Sequence, residues 1–239
     1  MQRALVTGGS GEIGAAICRR LAADGCRVIV HTHRQQQKAD DLVASIVEQG
    51  GRAEAVVFDV TDRARCAASL AALLEDGTIQ ILVNNAGIHA DAVFPGMSGE
   101  QWDRVIDVSL NGFYNVTQPL LMPMIRSRWG RIISVSSIAG LTGNRGQVNY
   151  SAAKGALHSA SKALALEVAS RGITVNAVAP GIIATAMSSS AFNAETIKAL
   201  VPMKRAGQPE EVADLIAFLA SDKAAYISGQ IISINGAMI

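Results

Sequence analysis

Tyr150 and Lys154 stand four residues apart in Tyr150-Ser151-Ala152-Ala153-Lys154, at the start of an Ala-rich stretch with helical spacing. On a helix that spacing puts both side chains on one face. A phenol ordinarily ionises at about pH 10 and carries protons poorly at neutral pH, but an adjacent ammonium favours the phenolate and lowers that value. Tyr150 can then exchange a proton. Ser137 closes the run Ile132-Ile133-Ser134-Val135-Ser136-Ser137, where its hydroxyl can donate to a carbonyl or alkoxide oxygen. Together Ser137, Tyr150 and Lys154 suit chemistry at a C=O group. A Tyr/Lys pair taken alone is more often a surface pair, so the reading depends on what surrounds it.

A second constellation lies near the amino end. Thr7-Gly8-Gly9-Ser10-Gly11-Glu12-Ile13-Gly14 joins a short apolar run to an amphipathic stretch. A glycine-rich turn at a helix N-terminus lets backbone amides approach a pyrophosphate, whose charge the helix dipole favours. Gly8, Ser10, Gly11, Glu12, Ile13 and Gly14 are the predicted contacts; the plainer alternative is a tight turn. The second apolar run ends in His31-Thr32-His33-Arg34. An acid there would bond a ribose 2′-hydroxyl, whereas arginine suits a 2′-phosphate. The missing carboxylate favours NADP(H), with Arg34 on the phosphate, although a solvated loop arginine reads the same way. Asp59 and Val60 follow the third run, and Asn84-Asn85-Ala86-Gly87 the fourth. Asp59 is placed to accept from an adenine amino group, and Asn85, Ala86 and Gly87 to bring backbone toward a ribose.

These groups need a frame that gathers strand ends. Seven short apolar runs, Ala4–Val6, Val28–Val30, Ala55–Phe58, Ile81–Val83, Ile132–Val135, Val175–Val178 and Ile231–Ile234, lack polar alternation, as strands covered on both faces do. Between them lie helical stretches at 13–23, 39–47, 64–74, 102–124, 152–169 and 210–220. Strand–helix–strand order with right-handed crossovers gives a doubly wound α/β sheet of about seven parallel strands, with ligands beyond their carboxyl ends. The motifs all follow the apolar runs. The least regular stretch, 183–193, predicts a mobile substrate lid extending over about 183–205.

The 239 residues carry no linker, so the whole of 1–239 reads as one domain. A net charge of +1 offers no basic surface for nucleic acid or a membrane, and a small molecule is the expected partner. Cys18, Cys26 and Cys66 have no metal or redox spacing and read as buried free thiols. With no signal-like start, a cytoplasmic location is expected. His31, His33, His89 and His158 have no metal-ligand spacing, so no catalytic metal is expected. Ser10 is not in a Gly-x-Ser-x-Gly elbow, because Glu12 stands at its final glycine.

The ensemble of Thr7 to Gly14, Asp59, Asn84 to Gly87, Ser137, Tyr150 with Lys154, Asn176 and Pro180-Gly181 followed by Thr185 resembles the short-chain dehydrogenase/reductase family over essentially the whole chain. Glu167 to Asn176 and Phe218 to Asp222 are most similar to its 3-oxoacyl-acyl-carrier-protein reductases. The resemblance implies a single Rossmann-type domain, usually a homotetramer. It implies hydride transfer from NADPH to a 3-oxoacyl thioester in fatty-acid synthesis, with Tyr150 protonating the oxygen. Ser137 would orient the carbonyl, and Lys154 would hold the nicotinamide ribose and tune Tyr150. Pro180, Gly181, Ile183 and Thr185 would hold the carboxamide end of the cofactor. Other ketones, small or linked to coenzyme A, and a non-catalytic NADP-binding regulator are the alternatives.

Two positions depart from the family pattern. Glu12 occupies the place of a glycine, and its carboxylate, repelled by a pyrophosphate, is expected to face solvent or cap the helix. Ser109, in Val108-Ser109-Leu110-Asn111-Gly112, stands where the family has an asparagine that holds a proton-relay water. Asn111 lies roughly 200° further around a regular helix and cannot substitute. Either Ser109 positions that water or proton resupply is slower. Arg128 and Arg171 match basic places that dock an acidic carrier protein, or are solvated helix-end arginines.

Overall fold

The computed structural model of the chain describes residues 1–239 apart from Met187, Ser189, Ser190 and Ala191. Seven parallel strands form one sheet: β1 (Arg3–Val6), β2 (Arg27–Thr32), β3 (Arg52–Val57), β4 (Ile81–Asn84), β5 (Gly130–Val135), β6 (Ile173–Pro180) and β7 (Ile231–Ile234). Their order, β3-β2-β1-β4-β5-β6-β7, reverses direction between β1 and β4. The connections from β1 and β4 therefore leave to opposite sides and open a crevice at the carboxyl ends of these two strands. Register keeps those ends level, with Val6 opposite both Val30 and Val83.

Helices cover both faces. Ala4 and Val6 of β1 point into a core with α1 (Glu12–Ala23) and α2 (Gln36–Glu48), while Leu5 between them joins the opposite core. That second core takes in α3 (Arg63–Glu75), with Cys66 and Leu70 fully buried. Burial on both faces is why the strand runs carry no polar alternation. Cys18, Cys26 and Cys66 are all buried and unpaired. Among the described residues no helix is long and apolar enough to cross a membrane.

The helical stretch expected at 102–124 starts earlier and is interrupted. α4 (Gly99–Ile106) begins at Ser98, whose side chain accepts from the Gln101 amide while Gln101 reaches back to the Ser98 N–H. Asp107–Asn111 then forms a π-turn that leads without a break into α5 (Gly112–Ser127). Three short or late elements complete the chain: α6 (Ala139–Thr142), α8 (Ala194–Leu200) and, after the long α7 (Val148–Val168), α9 (Pro209–Ala220) against α1. α6 and α8 are too short for a hydrophobic repeat to reveal them. The predicted lid spans α8 and four residues outside those described. Its first residue, Ile183, is buried and forms a parallel bridge with Gly207.

Candidate active site

α7 carries Tyr150 and Lys154 past the end of β5, and glycine sets how close it comes. A Cβ on Gly140 of α6 would stand 2.7 Å from the Lys154 carbonyl carbon and 2.8 Å from the Gly155 nitrogen. Only hydrogen at that position lets the two helices meet backbone to backbone. Ser136 then donates to the Lys154 carbonyl at 3.1 Å and pairs with His158 at 2.6 Å. The buried Lys154 Nζ donates to the Val135 carbonyl at 2.9 Å, which fixes it under the end of β5. Asn149, fully buried, accepts from the Tyr150 amide and donates to the carbonyls of Ala90 and Gln101. It ties the start of α7 to the loop after β4 and to α4. The motif reading passed over Asn149 and His158, and only their position beside the Tyr/Lys pair signals them.

Ser137 and Tyr150 meet through a side-chain hydrogen bond, and Lys154 Nζ lies 5.6 Å from the Tyr150 ring centre. The three residues are thus together, as the sequence predicts, but the expected lowering of the phenol by the ammonium does not appear. Burial pushes the Tyr150 phenol above its ordinary value; the Ser137 bond draws it down only in part, and Asp91 pushes it further up. Burial also pushes Lys154 down, to about 8. Desolvation dominates because both groups lie away from water. The result is a neutral phenol at physiological pH, which is the protonation state a proton donor needs.

The glycine turn faces this site from the end of β1. Gly8 has φ +63°, and a Cβ there would come within 3.1 Å of the Ala86 Cα. On Gly14 a Cβ would stand 2.2 Å from the Gly8 carbonyl oxygen. The first turn of α1 has Gly11 as its N-cap and no side-chain cap, which leaves its amides facing the crevice. Thr7 Oγ1 accepts from the amides of Asn85 and Ala86, and the Asn85 side chain donates to the carbonyls of Thr7 and Gly8. Gly87 follows beside Lys154: a Cβ there would be 3.1 Å from Nζ. These close approaches, with uncapped amides at a helix N-terminus, fit a dinucleotide.

His31 is the residue that sequence reasoning missed here. Its Nδ1 accepts from the Gly8 N–H at 3.0 Å and its Nε2 meets the Phe58 carbonyl at 2.9 Å. Both bonds require the neutral ring with hydrogen on Nε2. Burial holds it neutral by pushing its pKa to about 4, against the opposing effect of the Phe58 bond. Beyond it, Ser10 donates to Thr32 at 2.9 Å, and Arg34 is exposed. Asp59 accepts from the Thr61 amide and hydroxyl and pairs with His33 at 3.3 Å. Partial burial pushes its carboxyl up, but the two Thr61 bonds, His33 and Arg34 hold it below the usual range. The carbonyl of buried Val60 accepts from Asn115 at 2.9 Å.

On the far side, Pro180 ends β6 and its carbonyl accepts from the Ile138 amide. Gly181 packs so tightly on Asn235 that a Cβ would come within 2.8 Å of it. Ile183 sits on its bridge to Gly207, and Thr185 turns back on Ser188, accepting from its amide at 3.3 Å. The family-pattern Asn176 is buried in β6 and holds the approach to β7 through Ile227 and Gln230.

Glu12 is exposed, as expected, but it does not cap its helix and is not left free. It lies in the first turn of α1, and both carboxylate oxygens accept from the Ala186 amide, at 2.9 and 3.2 Å. Ser109 is buried inside the π-turn, where its Oγ has no partner, and the helix there is not regular. Asn111 is exposed and donates to Asp107 at 2.6 Å, so it still does not serve the site. Arg128 and Arg171 precede β5 and β6, at the amino ends of these strands, whereas Ser137 follows the carboxyl end of β5. Arg128 donates to the Ser170 carbonyl. The nearby Arg131 is no surface group: it is buried, paired with Asp222 and stacked on Trp129.

A family model described as short chain dehydrogenase matches residues 2–196. The chain is 45% identical over 236 residues to a 3-oxoacyl-acyl-carrier-protein reductase of Aggregatibacter actinomycetemcomitans, covering 98% of each chain. A 3-oxoacyl-acyl-carrier-protein reductase of Synechocystis is 45% identical over 240 residues, covering 100% of this chain and 97% of its own. An acetoacetyl-CoA reductase of Rhizobium meliloti is likewise 45% identical, over 238 residues, covering 98% of this chain and 96% of its own.

Proposed function

The chain belongs to the short-chain dehydrogenase family, and from that premise we propose that it is an oxidoreductase reducing a 3-oxoacyl thioester to the 3-hydroxyacyl thioester with NADPH. The observation that carries the reading is the meeting of Ser137 with Tyr150 above a buried Lys154, across the crevice from an uncapped glycine turn. Acyl-carrier-protein linkage is supported by the full-length relatives with that activity, and coenzyme A linkage by the equally similar acetoacetyl-CoA reductase.

Gly87, Lys154 and the segment from Pro180 to Thr185 would hold a nicotinamide, which would supply the hydride for the carbonyl carbon. The rest falls to the protein. Ser137 donates to the substrate oxygen and orients it; Tyr150, held protonated by burial, delivers its proton as negative charge develops there. Lys154, an ammonium up to its pKa of about 8, stabilises the phenolate that Tyr150 becomes. Ser109, buried with an unpartnered hydroxyl near this helix, is the group that holds a water for resupply. Gly8, Ser10, Gly11, Ile13 and Gly14 take the diphosphate, Asp59 and Val60 the adenine, Asn85 and Ala86 the ribose, and Arg34 the 2′-phosphate. The active form is a cytoplasmic homotetramer. Because Arg128 and Arg171 lie at the amino ends of β5 and β6, away from the carboxyl-end site, an acidic carrier docked on them serves the site of a neighbouring copy.

Acetoacetyl thioesters of coenzyme A and of a carrier protein, each assayed with NADPH and with NADH by loss of reduced-nicotinamide absorbance, test the proposal. Turnover of either thioester, faster with NADPH, is expected. Tight NADPH binding with no turnover of any ketone would overturn it in favour of a nucleotide-binding regulator.

A further inference from the structure

We infer that Glu12 sets the nucleotide affinity of this chain: its carboxylate ties the start of α1 to Ala186, and that tie opens when a dinucleotide's diphosphate takes the same helix N-terminus. The inference rests on the nucleotide-binding reading above.

The position of the contact carries the argument. Residues after β1 and after β6 are separated in the sheet by β4 and β5, so a bond between Glu12 and Ala186 spans the mouth of the crevice. With neighbouring strands about 4.8 Å apart, that is a reach over roughly 14 Å of sheet edge. The far anchor is firm, since Ile183 is buried and the Ala184 amide donates to the Gly207 carbonyl at 2.8 Å. At the near end Gly11 contributes no side chain, so the oxygens at this helix terminus are those of Glu12. No ion pair involves Glu12 among the described residues, and its charge is balanced only by the dipole of α1 and the Ala186 amide.

A diphosphate seated on the same terminus competes for both. It is attracted by the same dipole, and a carboxylate beside it repels it. Binding therefore costs the Glu12–Ala186 bond, and the stretch Thr185–Ala186, which carries the carboxamide contact proposed for Thr185, is freed at that moment to settle on the nicotinamide end. Nucleotide entry and movement of this segment are coupled through one side chain.

NADPH fluorescence titration of the wild type, Glu12→Gln and Glu12→Gly, with amide hydrogen exchange followed at Ala186, tests this. The expected order of affinity is Gly, then Gln, then wild type. Glu12→Gln, which keeps an acceptor but loses the charge, should tighten binding about tenfold, and Glu12→Gly up to about a hundredfold. Ala186 should exchange slowly in the wild-type protein alone and faster in Glu12→Gly or when nucleotide is added. Equal affinities within twofold, with wild-type binding intact, would overturn the inference and leave the nucleotide reading standing. Unchanged Ala186 exchange in Glu12→Gly would overturn it too. Failure of all three proteins to bind NADPH would remove the nucleotide reading together with the inference.

Discussion

Lys154 and Glu12 are the charged groups on opposite walls of one crevice, and the fold treats them in opposite ways. Lys154 is buried under β5, bonded to a strand carbonyl and pushed down to about 8. Glu12 is exposed and acts on its surroundings through its charge and its bond to an amide of a distant segment. Burial makes the first wall a place where protonation states are set by desolvation. Exposure makes the second a place where affinity is set by Coulomb terms that salt can screen. Chemistry thus resides on the β5–α7 side and adjustable binding on the β1–α1 side.

The sharpest division of labour concerns Tyr150. Replacing it with Phe keeps the ring and removes the proton donor, which should lower kcat by about a thousandfold, within the span of roughly 10²–10⁴ typical of a lost general acid. NADPH affinity should stay within about twofold. A Tyr150→Phe enzyme with near-normal turnover would mean that the chemistry lies elsewhere.

Glycine contacts brace each wall, and they offer the next test. In Gly14→Ala the new Cβ meets the Gly8 oxygen at 2.2 Å, and in Gly140→Ala it meets the Lys154 carbonyl carbon at 2.7 Å. Both neighbours are backbone and cannot swing aside, so each variant should lose about 1–3 kcal/mol of stability, seen as a drop in Tm. Gly14→Ala should chiefly weaken NADPH binding, and Gly140→Ala should chiefly lower kcat by displacing Lys154. If the two variants affected both quantities alike, the walls would not be functionally separate.

The pH profile probes the buried wall directly. Tyr150 must carry its proton to act as donor, and burial holds its pKa up, so it stays protonated across the neutral range. Lys154 must be charged to steady the phenolate, and it loses its proton as pH rises through about 8. Reduction should therefore be flat below that value and fall about tenfold per pH unit above it. In Lys154→Met the fall should vanish, along with most of the rate. A profile in the wild type that stays level to pH 10 would contradict the burial argument.

How far the sequence reveals each wall follows from the kind of interaction involved. The sheet was legible because seven short, mainly apolar runs lack polar alternation, and the structure places a strand at each of them. Tyr150, Lys154 and Ser137 were legible because helical spacing and strand-end position are local properties. The direction of the Tyr150 shift was not, since spacing reports the nearby charge while desolvation depends on packing from Gly140, Gly155 and β5. His31 and Asn149 were hidden for a related reason: each acts by bonding backbone brought in from another element. Glu12 showed as an anomaly in the glycine turn, but its partner, 174 residues away, appears only in three dimensions.

Arg34 gives the smallest effect and the finest test of the exposed wall. It is open to solvent and close enough to Asp59 to help lower that carboxyl, so part of its charge is already engaged. A phosphate contact in such a setting is screened by salt. Arg34→Ala should cut the preference for NADPH over NADH about three- to tenfold at low ionic strength, and less at high salt. Turnover at saturating NADPH should stay unchanged. The salt dependence is the decisive part, because a preference lost equally at all ionic strengths would point to a buried, desolvated contact and would make this wall resemble the one that holds Lys154.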